Sequence, residues 1–251
     1  MGRRWDEALM TSQRRWLLYS SSIAALSVLV IQCAVALKVA SECGNVRILS
    51  SELTAQEAEA YCRYATGERE KVEALWGASW KEPIRIHVDS SYKISRALIP
   101  GYQGNRGFME MPLQRVRNND GALLHEIVHI YAPNNNRFLA EGLAVYLQAN
   151  IGGNRAFPSF SDNLNVLARR RFPEVNSLAS LNTGGTTRPW SIAGDERTTA
   201  YILGGAFVGF LIDRNGLPRF KNLYETGDYD NVYGKSLEIL EKEWRSALQE
   251  K

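Results

Sequence analysis

The chain has 251 residues, of which 45% are hydrophobic, 23% charged and 10% aromatic. This composition is typical of one folded domain with a short appendage, and it excludes a disordered, collagen-like or disulfide-dense chain. Residues 1–40 hold five of the 30 basic and two of the 27 acidic residues, which leaves 25 of each sign in residues 41–251. Because its body is neutral, the chain lacks the positive field that a nucleic-acid-binding protein needs.

An uncharged run of 22 residues, Trp16–Leu37, lies near the N-terminus. Its length matches the about 20 residues that a helix needs to cross a bilayer, and Arg14 and Arg15 stand directly before it. By the positive-inside rule, the N-terminus stays in the cytoplasm and the rest of the chain lies outside it. The run is longer than the apolar part of most signal peptides, so we favour an uncleaved signal-anchor, with a cleaved signal peptide as the alternative.

These features predict two parts, a membrane anchor or signal peptide in residues 1–40 and a single domain in residues 41–251. We expect the domain on the extracytoplasmic side of the cell membrane, or in the periplasm or secreted if the N-terminal segment is cleaved. In those compartments Cys43 and Cys62 can form a disulfide that closes a loop of about 20 residues. Two free thiols are the alternative, because the sequence does not place the two side chains.

After a first helix, residue patterns in the domain predict strands and then a series of helices, which is the order of an α+β fold. Thr54 and Glu57 form a capping-box pattern, and the residues from Ile84 to Val88 alternate as in a half-buried strand. Pro112 would place the second strand at a sheet edge. In chain order, the predicted elements are a helix to about Trp76, strands over 84–88 and 108–116, a helix from caps at Asn118–Asp120 to about Ile130, and helices over 137–148, 161–170, 198–213, 217–224 and 237–248.

Two of the three histidines stand in the sequence HEIVH, as His125 and His129. Four residues turn a helix by about 400°, so the two imidazoles share one face about 6 Å apart and can bind one metal ion. Glu126 is offset by about 100°, which places its carboxylate at the rim of the same site. There it can accept a proton from a water molecule.

A zinc site needs a third protein ligand and an open position for water. No histidine follows His129, and Glu141 is the acidic residue of the otherwise apolar segment 138–146. A lone buried carboxylate is costly unless it is paired or binds a metal. Pro133 interrupts the helical pattern and allows this helix to fold back onto HEIVH, which predicts Glu141 as the third ligand. The alternative for Glu141 is a salt bridge with Arg137, one helical turn earlier.

HEIVH followed closely by FLAEGLAVY resembles the gluzincins, the zinc metallopeptidase clan of thermolysin and aminopeptidase N, and is most similar to the small peptidase MA-like domains. The resemblance extends over about residues 83–249. It implies a thermolysin-like zincin catalytic domain, with a small antiparallel or mixed sheet followed by a helical half. It also implies one zinc ion held by His125, His129 and Glu141, with Glu126 as the general base.

The resemblance also suggests where an oxyanion could be stabilised and where the chain departs from the family. Aminopeptidase-N-type enzymes use a Tyr-x-x-Gly motif, which the segment from Tyr201 to Gly204 matches. A tyrosine that only packs in the core is the alternative, and Tyr131 and Tyr146 are weaker candidates. Thermolysin-like enzymes place an aspartate one turn after the glutamate ligand, where this chain has Val145.

The sequence therefore predicts a membrane-anchored or secreted zinc metallopeptidase that acts on a peptide or protein substrate. We expect the strand over 107–116 to border the cleft and to pair with an extended substrate by β-augmentation. The competing interpretation is a catalytically weak or inactive zinc-bearing domain that serves as a scaffold in the cell envelope.

Overall fold

A mixed β-sheet and a helical half make up the computed structural model, which describes residues 38–77, 80–98, 106–182 and 194–250. Within these ranges the strands are β1 (Val39–Cys43), β2 (Val46–Leu49), β3 (Ile84–Asp89), β4 (Arg96–Ala97) and β5 (Phe108–Pro112). Their order in the sheet is β1-β2-β3-β5-β4. The inner strands β2, β3 and β5 run parallel, and β1 and β4 pair antiparallel at the two edges.

Among the described residues, one helix lies between β2 and β3 along the chain, and the other helices follow β5. They are α1 (Ala55–Trp76), α2 (Leu113–Asn118), α3 (Leu123–Tyr131), α4 (Arg137–Ile151), α5 (Leu164–Arg171), α6 (Gly194–Asn215), α7 (Leu217–Thr226), α8 (Tyr229–Tyr233) and α9 (Leu237–Gln249). Two short 3₁₀ turns, Phe172–Glu174 and Leu178–Ser180, follow α5. The predicted α+β architecture, a small sheet with a helical half, is confirmed.

Across the ranges that the structure describes, no helix combines the length and the apolar character needed to cross a bilayer. The run Trp16–Leu37, on which the anchor prediction rests, lies outside those ranges. The anchor or signal peptide in residues 1–40 therefore stays a prediction.

The start of α1 and the strand β3 form as their sequence patterns predict. The hydroxyl of Thr54 accepts a hydrogen bond from the Glu57 N–H at 3.2 Å, and the Glu57 carboxylate accepts one from the Thr54 N–H at 2.8 Å. This capping box satisfies N–H groups that the first turn of α1 would otherwise leave unpaired. In β3 the alternating residues Ile84, Ile86 and Val88 are buried against the helices.

The prediction of an edge strand over 108–116 is wrong in both its length and its position. β5 ends at Pro112, α2 begins at Leu113, and β5 lies inside the sheet between β3 and β4. A proline at the last position of a strand interrupts little of the ladder, so it does not require an edge. The edge is β4, whose two residues are too few to produce a periodic signal in the sequence.

The prediction that Asn118–Asp120 caps the HEIVH helix is also wrong, because these residues end the preceding helix α2. Asn119 adopts a left-handed conformation with φ of 53°, a common helix C-terminus for asparagine, and its N–H donates to the α2 carbonyl of Val116 at 3.2 Å. The residue before α3 is Ala122, which has no side-chain cap to offer. The ends of α3 are therefore satisfied by other parts of the fold.

The two cysteines of the domain lie on neighbouring elements as free thiols. Cys43 ends β1, and Cys62 lies in α1, where its thiol donates to the Val46 carbonyl at 3.6 Å. The Thr66 hydroxyl lies 3.2 Å from the Cys43 carbonyl oxygen and 3.0 Å from that of Cys62, which joins β1 to α1 at this point.

Candidate metal centre

The HEIVH segment forms the middle of α3, a nine-residue helix in which every residue is buried. It packs against α1 on one side, α4 on another and the edge strand β4. Apolar neighbours such as Leu124 and Val128 account for this burial, but His125, Glu126 and His129 are also less than 10% exposed. Buried ionisable groups are rare unless they are paired or bind a ligand. Three of them on one short helix therefore indicate a site rather than a solvated face.

The three predicted ligands converge on one point. Glu141 Oε2 lies 3.0 Å from His125 Nε2 and 3.3 Å from His129 Nε2, and the two histidine nitrogens lie 3.1 Å apart. Two ligands held about 2.0–2.1 Å from a tetrahedral zinc ion lie about 3.3 Å from each other. The triangle of donor atoms thus has the dimensions of one face of a zinc tetrahedron. The donor set of two imidazoles and one carboxylate is also one that zinc accepts.

The turn between α3 and α4 brings Glu141 to the histidines, as the sequence predicted. Asn136 caps α4 by accepting the Leu139 N–H at 3.2 Å, and this start of the helix directs Glu141, on its second turn, towards α3. Arg137 contacts the other carboxylate oxygen, Oε1. The salt bridge and the convergence with the histidines therefore coexist, each using one oxygen of Glu141.

The charge of Glu141 is fixed by its neighbours. Burial by itself would raise the pKa of the Glu141 carboxyl. The electrostatic interaction with His129, the hydrogen bonds with His125 and His129, and the charge of Arg137 outweigh that effect, and they hold this pKa well below its usual range. Glu141 is therefore an anion that is 2% exposed, which is the form of a carboxylate that binds a metal.

Glu126 lies beside this triangle and is anchored by the edge strand. Its Oε2 accepts the backbone N–H of Ala97 at 2.7 Å. Burial raises the pKa of Glu126 above its usual range, while His125 and the Ala97 N–H act in the opposite direction. A raised pKa makes the carboxylate a stronger base, and the bond to β4 holds one of its oxygens in place. The contact with Ala97 was not predicted, because it joins a backbone group 29 residues away.

A side chain from α4 caps the N-terminus of α3. Gln148 accepts the backbone N–H of His125 at 3.2 Å and donates to Asn154 at 3.0 Å. Asn154 in turn donates to the carbonyl of Gly121 at 2.7 Å, just before α3. Gln148 thereby takes the place of the missing local cap, and it links the two helices that carry the three predicted ligands. Its position seven residues after Glu141, on the same face of α4, is the sequence signal that could have identified it.

The C-terminus of α3 is capped by two further side chains. Arg106 donates two hydrogen bonds to the carbonyl of Ile130, at 2.9 and 2.6 Å, and stacks over the ring of Trp80 at 4.8 Å. The hydroxyl of Tyr224, from α7, donates to the carbonyl of Ala132 at 2.7 Å. These bonds satisfy carbonyls that a helix end leaves open.

Tyr201 lies next to the triangle on α6. Its ring centroid is 6.0 Å from that of His125, and burial raises the pKa of its hydroxyl above the ordinary value. The close approach of α6 to α4 depends on Gly142, because a Cβ there would lie 2.8 Å from the carbonyl oxygen of Gly204. Gly142 directly follows Glu141, and Gly204 lies one turn after Tyr201. The Tyr-x-x-Gly spacing thus places the tyrosine where the helices touch.

The weaker tyrosine candidates are engaged elsewhere. The hydroxyl of Tyr131 donates to Glu73 at 3.3 Å, and that of Tyr146 donates to Asp213 at 2.9 Å.

The residue one turn after Glu141, Val145, is fully buried. Nδ1 of His125 has no hydrogen-bond partner within the described parts of the chain, so no carboxylate supports this histidine there.

No protein-family model and no curated protein matches the chain. Among solved structures, it is similar to the M1 zinc metallopeptidase from Deinococcus radiodurans, at 15% identity and a TM-score of 0.47, over 83% of this chain and 49% of that chain. A variant of that enzyme gives 15% identity and a TM-score of 0.46, over 83% and 50% of the two chains. A two-domain M1 zinc metallopeptidase bound to L-arginine gives 16% and 0.43, over 85% and 49%. The chain therefore spans about half the length of these structures.

Proposed function

We propose that the domain formed by residues 41–251 is a zinc-dependent peptidase that binds one zinc ion through His125, His129 and Glu141. The observation that carries the proposal is the convergence of the three ligand atoms, which all lie within 4.8 Å of one another in a buried setting. The resemblance of HEIVH and FLAEGLAVY to the gluzincin motifs supports the same assignment. When bound there, zinc would polarise a carbonyl group and lower the pKa of a water molecule to about 7.

Glu126 is the proposed general base. Its carboxylate would accept the proton of the attacking water and deliver it to the amine that leaves when the peptide bond breaks. Two features favour this role over that of a metal ligand. One oxygen is already bonded to the Ala97 N–H, and burial raises the pKa of the carboxyl, which helps it to take up a proton and later to release it.

Tyr201 is the proposed oxyanion stabiliser. Because burial raises the pKa of its hydroxyl, the group stays protonated at neutral pH and keeps its capacity to donate a hydrogen bond. Its place beside the His125 ring supports the proposal, since the carbonyl oxygen of a bound substrate would lie close to the ligand triangle. Tyr201→Phe removes only the donor, so we expect turnover to fall by about 10²–10³-fold with zinc retained.

The substrate is proposed to bind along β4. The Leu98 N–H pairs with the Phe108 carbonyl at 2.9 Å on the inner side of the strand, whereas the Ala97 N–H faces Glu126. The outer edge of β4 therefore borders the base, and an extended peptide that lies beside this edge would pass the ligand triangle. This assignment replaces the expected role of the strand over 107–116.

Two substitutions test the proposed function. Glu126→Gln keeps an oxygen that can accept the Ala97 N–H, so zinc content should persist while hydrolysis of a peptide library falls by several orders of magnitude. Glu141→Ala should lose zinc on dialysis, because a site with two protein ligands binds zinc poorly. Full zinc retention in Glu141→Ala would reject this residue as a ligand. A wild-type protein that holds zinc and cleaves no peptide would favour the scaffold interpretation.

The location outside the cytoplasm is proposed from residues 1–40 alone. It predicts that the full chain sediments with membranes and that protease added to intact cells or spheroplasts degrades the domain. Intact mass measurement distinguishes the two forms, because a cleaved signal peptide shortens the chain and an anchor does not. A full-length protein in the soluble cytoplasmic fraction would contradict both forms.

A further inference from the structure

Glu141 is held by two different sets of groups, one on each carboxylate oxygen. Oε2 lies 3.0 Å from His125 Nε2 and 3.3 Å from His129 Nε2, whereas Oε1 is paired with the guanidinium of Arg137. The carboxylate side chain is 2% exposed and the arginine side chain 23% exposed. The arginine therefore reaches from the rim of the site to a carboxylate at its base.

The position of Arg137 is not explained by helix stability. It is the first residue of α4, where a positive charge opposes the helix dipole. Its Nε is buried and has no hydrogen-bond partner within the described residues, so one hydrogen-bond donor of the side chain is left unused there. What the position does provide is a donor one turn from Glu141, on the side away from the histidines.

We propose that Arg137 is a positioning residue that orients Glu141 so that it binds the metal through a single oxygen. This inference rests on the proposed zinc site. Because the guanidinium binds Oε1, this oxygen cannot turn towards the ion, and Oε2 stays directed at the histidines. The guanidinium also neutralises the buried carboxylate before the metal arrives, so that the ligand triangle is preformed.

Removal of this partner has a defined consequence for metal binding. Without Arg137, Glu141 would be a buried anion free to rotate between the two imidazoles or to bind the ion through both oxygens. Groups that hold a metal ligand from behind typically change metal affinity by about 10–100-fold when they are removed. Lysine offers a point charge instead of a planar fork, so it should replace arginine only in part.

The chain contains a matched control. Arg245 and Glu241 on α9 are also one turn apart, and Glu241 is also buried, with Arg245 Nε 2.8 Å from Glu241 Oε1. That carboxylate contacts Leu178 and Ser177 rather than any residue of the metal centre. Arg245→Met removes a comparable buried ion pair, so it should lower stability while it leaves the metal centre intact.

The test is the zinc affinity of the full-length chain in mild detergent, measured by competition with a chromophoric chelator. We expect Arg137→Met to bind zinc about 10–100-fold more weakly than wild type, Arg137→Lys at least fivefold more weakly, and Arg245→Met equally tightly. If Arg137→Met does not fold, Arg137→Lys decides. Affinity within twofold of wild type in the deciding variant overturns the inference, as does an equal loss in Arg245→Met.

A second readout separates positioning from general destabilisation. Co²⁺ replaces zinc in such sites, and its visible absorption is strong in four-coordinate and weak in five- or six-coordinate geometry. Arg137→Met should weaken this absorption at saturating cobalt, because Glu141 can then supply both oxygens. An unchanged spectrum would contradict the single-oxygen claim. If the wild-type chain binds neither metal, the proposed function itself fails, which is a different outcome from failure of the Arg137 variants.

Discussion

The contact between α4 and α6 provides the sharpest test of how the site is assembled. A Cβ on Gly142 would lie 2.8 Å from the Gly204 carbonyl oxygen and 2.8 Å from Val208 Cγ2. Ordinary contacts of this kind begin near about 3.5 Å, so Gly142→Ala requires the helices to separate by about 0.7 Å. Since one obstacle is backbone, no side-chain rotation can relieve the clash.

Gly67 is the matched control for this substitution. It lies inside α1, and a Cβ there would meet nothing within 4 Å. Gly67→Ala should therefore stabilise the domain by about 0.5–1 kcal/mol, because alanine is the better helix former. Gly142→Ala gains the same amount but has to accommodate an overpacked contact, which costs about 1–3 kcal/mol. The difference between the two variants, about 1–3 kcal/mol, therefore measures the clash alone.

Urea unfolding of both variants measures that difference, and peptide hydrolysis measures its effect on the site. Tyr201 lies one turn before the contact, and a displacement of about 1 Å can lower turnover by about 10²-fold. We therefore expect Gly142→Ala to lose much of its activity while it stays folded, and Gly67→Ala to keep all of it. If Gly142→Ala is stabilised as much as Gly67→Ala, the helices do not approach as closely as inferred.

Three further predictions concern the cap of α3 and the cysteines. Gln148→Leu leaves a buried N–H at the start of α3 without its acceptor, so it should lower the free energy of unfolding in urea by about 1–3 kcal/mol. The control Gln114→Leu breaks an exposed hydrogen bond on α2 and should change the free energy of unfolding little. Equal effects of the two substitutions would show that the Gln148 cap contributes nothing specific. Burial and the neighbouring Cys43 raise the pKa of the Cys62 thiol to about 12, so in reduced protein it should resist alkylation until unfolding. Protein exported from the cytoplasm should instead have a disulfide between Cys43 and Cys62, with a mass lower by two hydrogens. Its free energy of unfolding should be higher by about 3 kcal/mol than that of the reduced protein. Free thiols in the exported protein would contradict this prediction.

The part of the site that the sequence reveals is the part that depends on helical spacing. His125 and His129 share a face because they are four residues apart, and Glu141 stands out as a lone carboxylate among apolar residues. The break after Pro133 then leaves few ways to join the two helices. Each inference uses residues separated by fewer than about 20 positions, over which helix geometry is nearly invariant.

The rest of the site comes from contacts that no local pattern encodes. The Ala97 N–H reaches Glu126 because a two-residue strand closes the sheet next to α3, and such a strand has no periodicity of its own. The same limitation explains the misplaced cap. Asn119 has the residue type of a cap, and only the course of the backbone decides whether it begins one helix or ends another.

The capping of α3 also bears on how the metal and the fold depend on each other. A nine-residue helix without local caps is not stable by itself, so α3 exists only within the assembled domain. Its ends are satisfied by Gln148, Arg106 and Tyr224, and its apolar residues are buried between α1 and α4. None of these interactions involves the side chain of a predicted metal ligand. The polar and apolar contacts that order the helix are thus separate from those that would bind zinc, unlike in a zinc finger, where the metal supplies the folding free energy. Such a separation agrees with the proposed zinc site, because the protein then holds the three predicted ligand side chains in place without help from the metal.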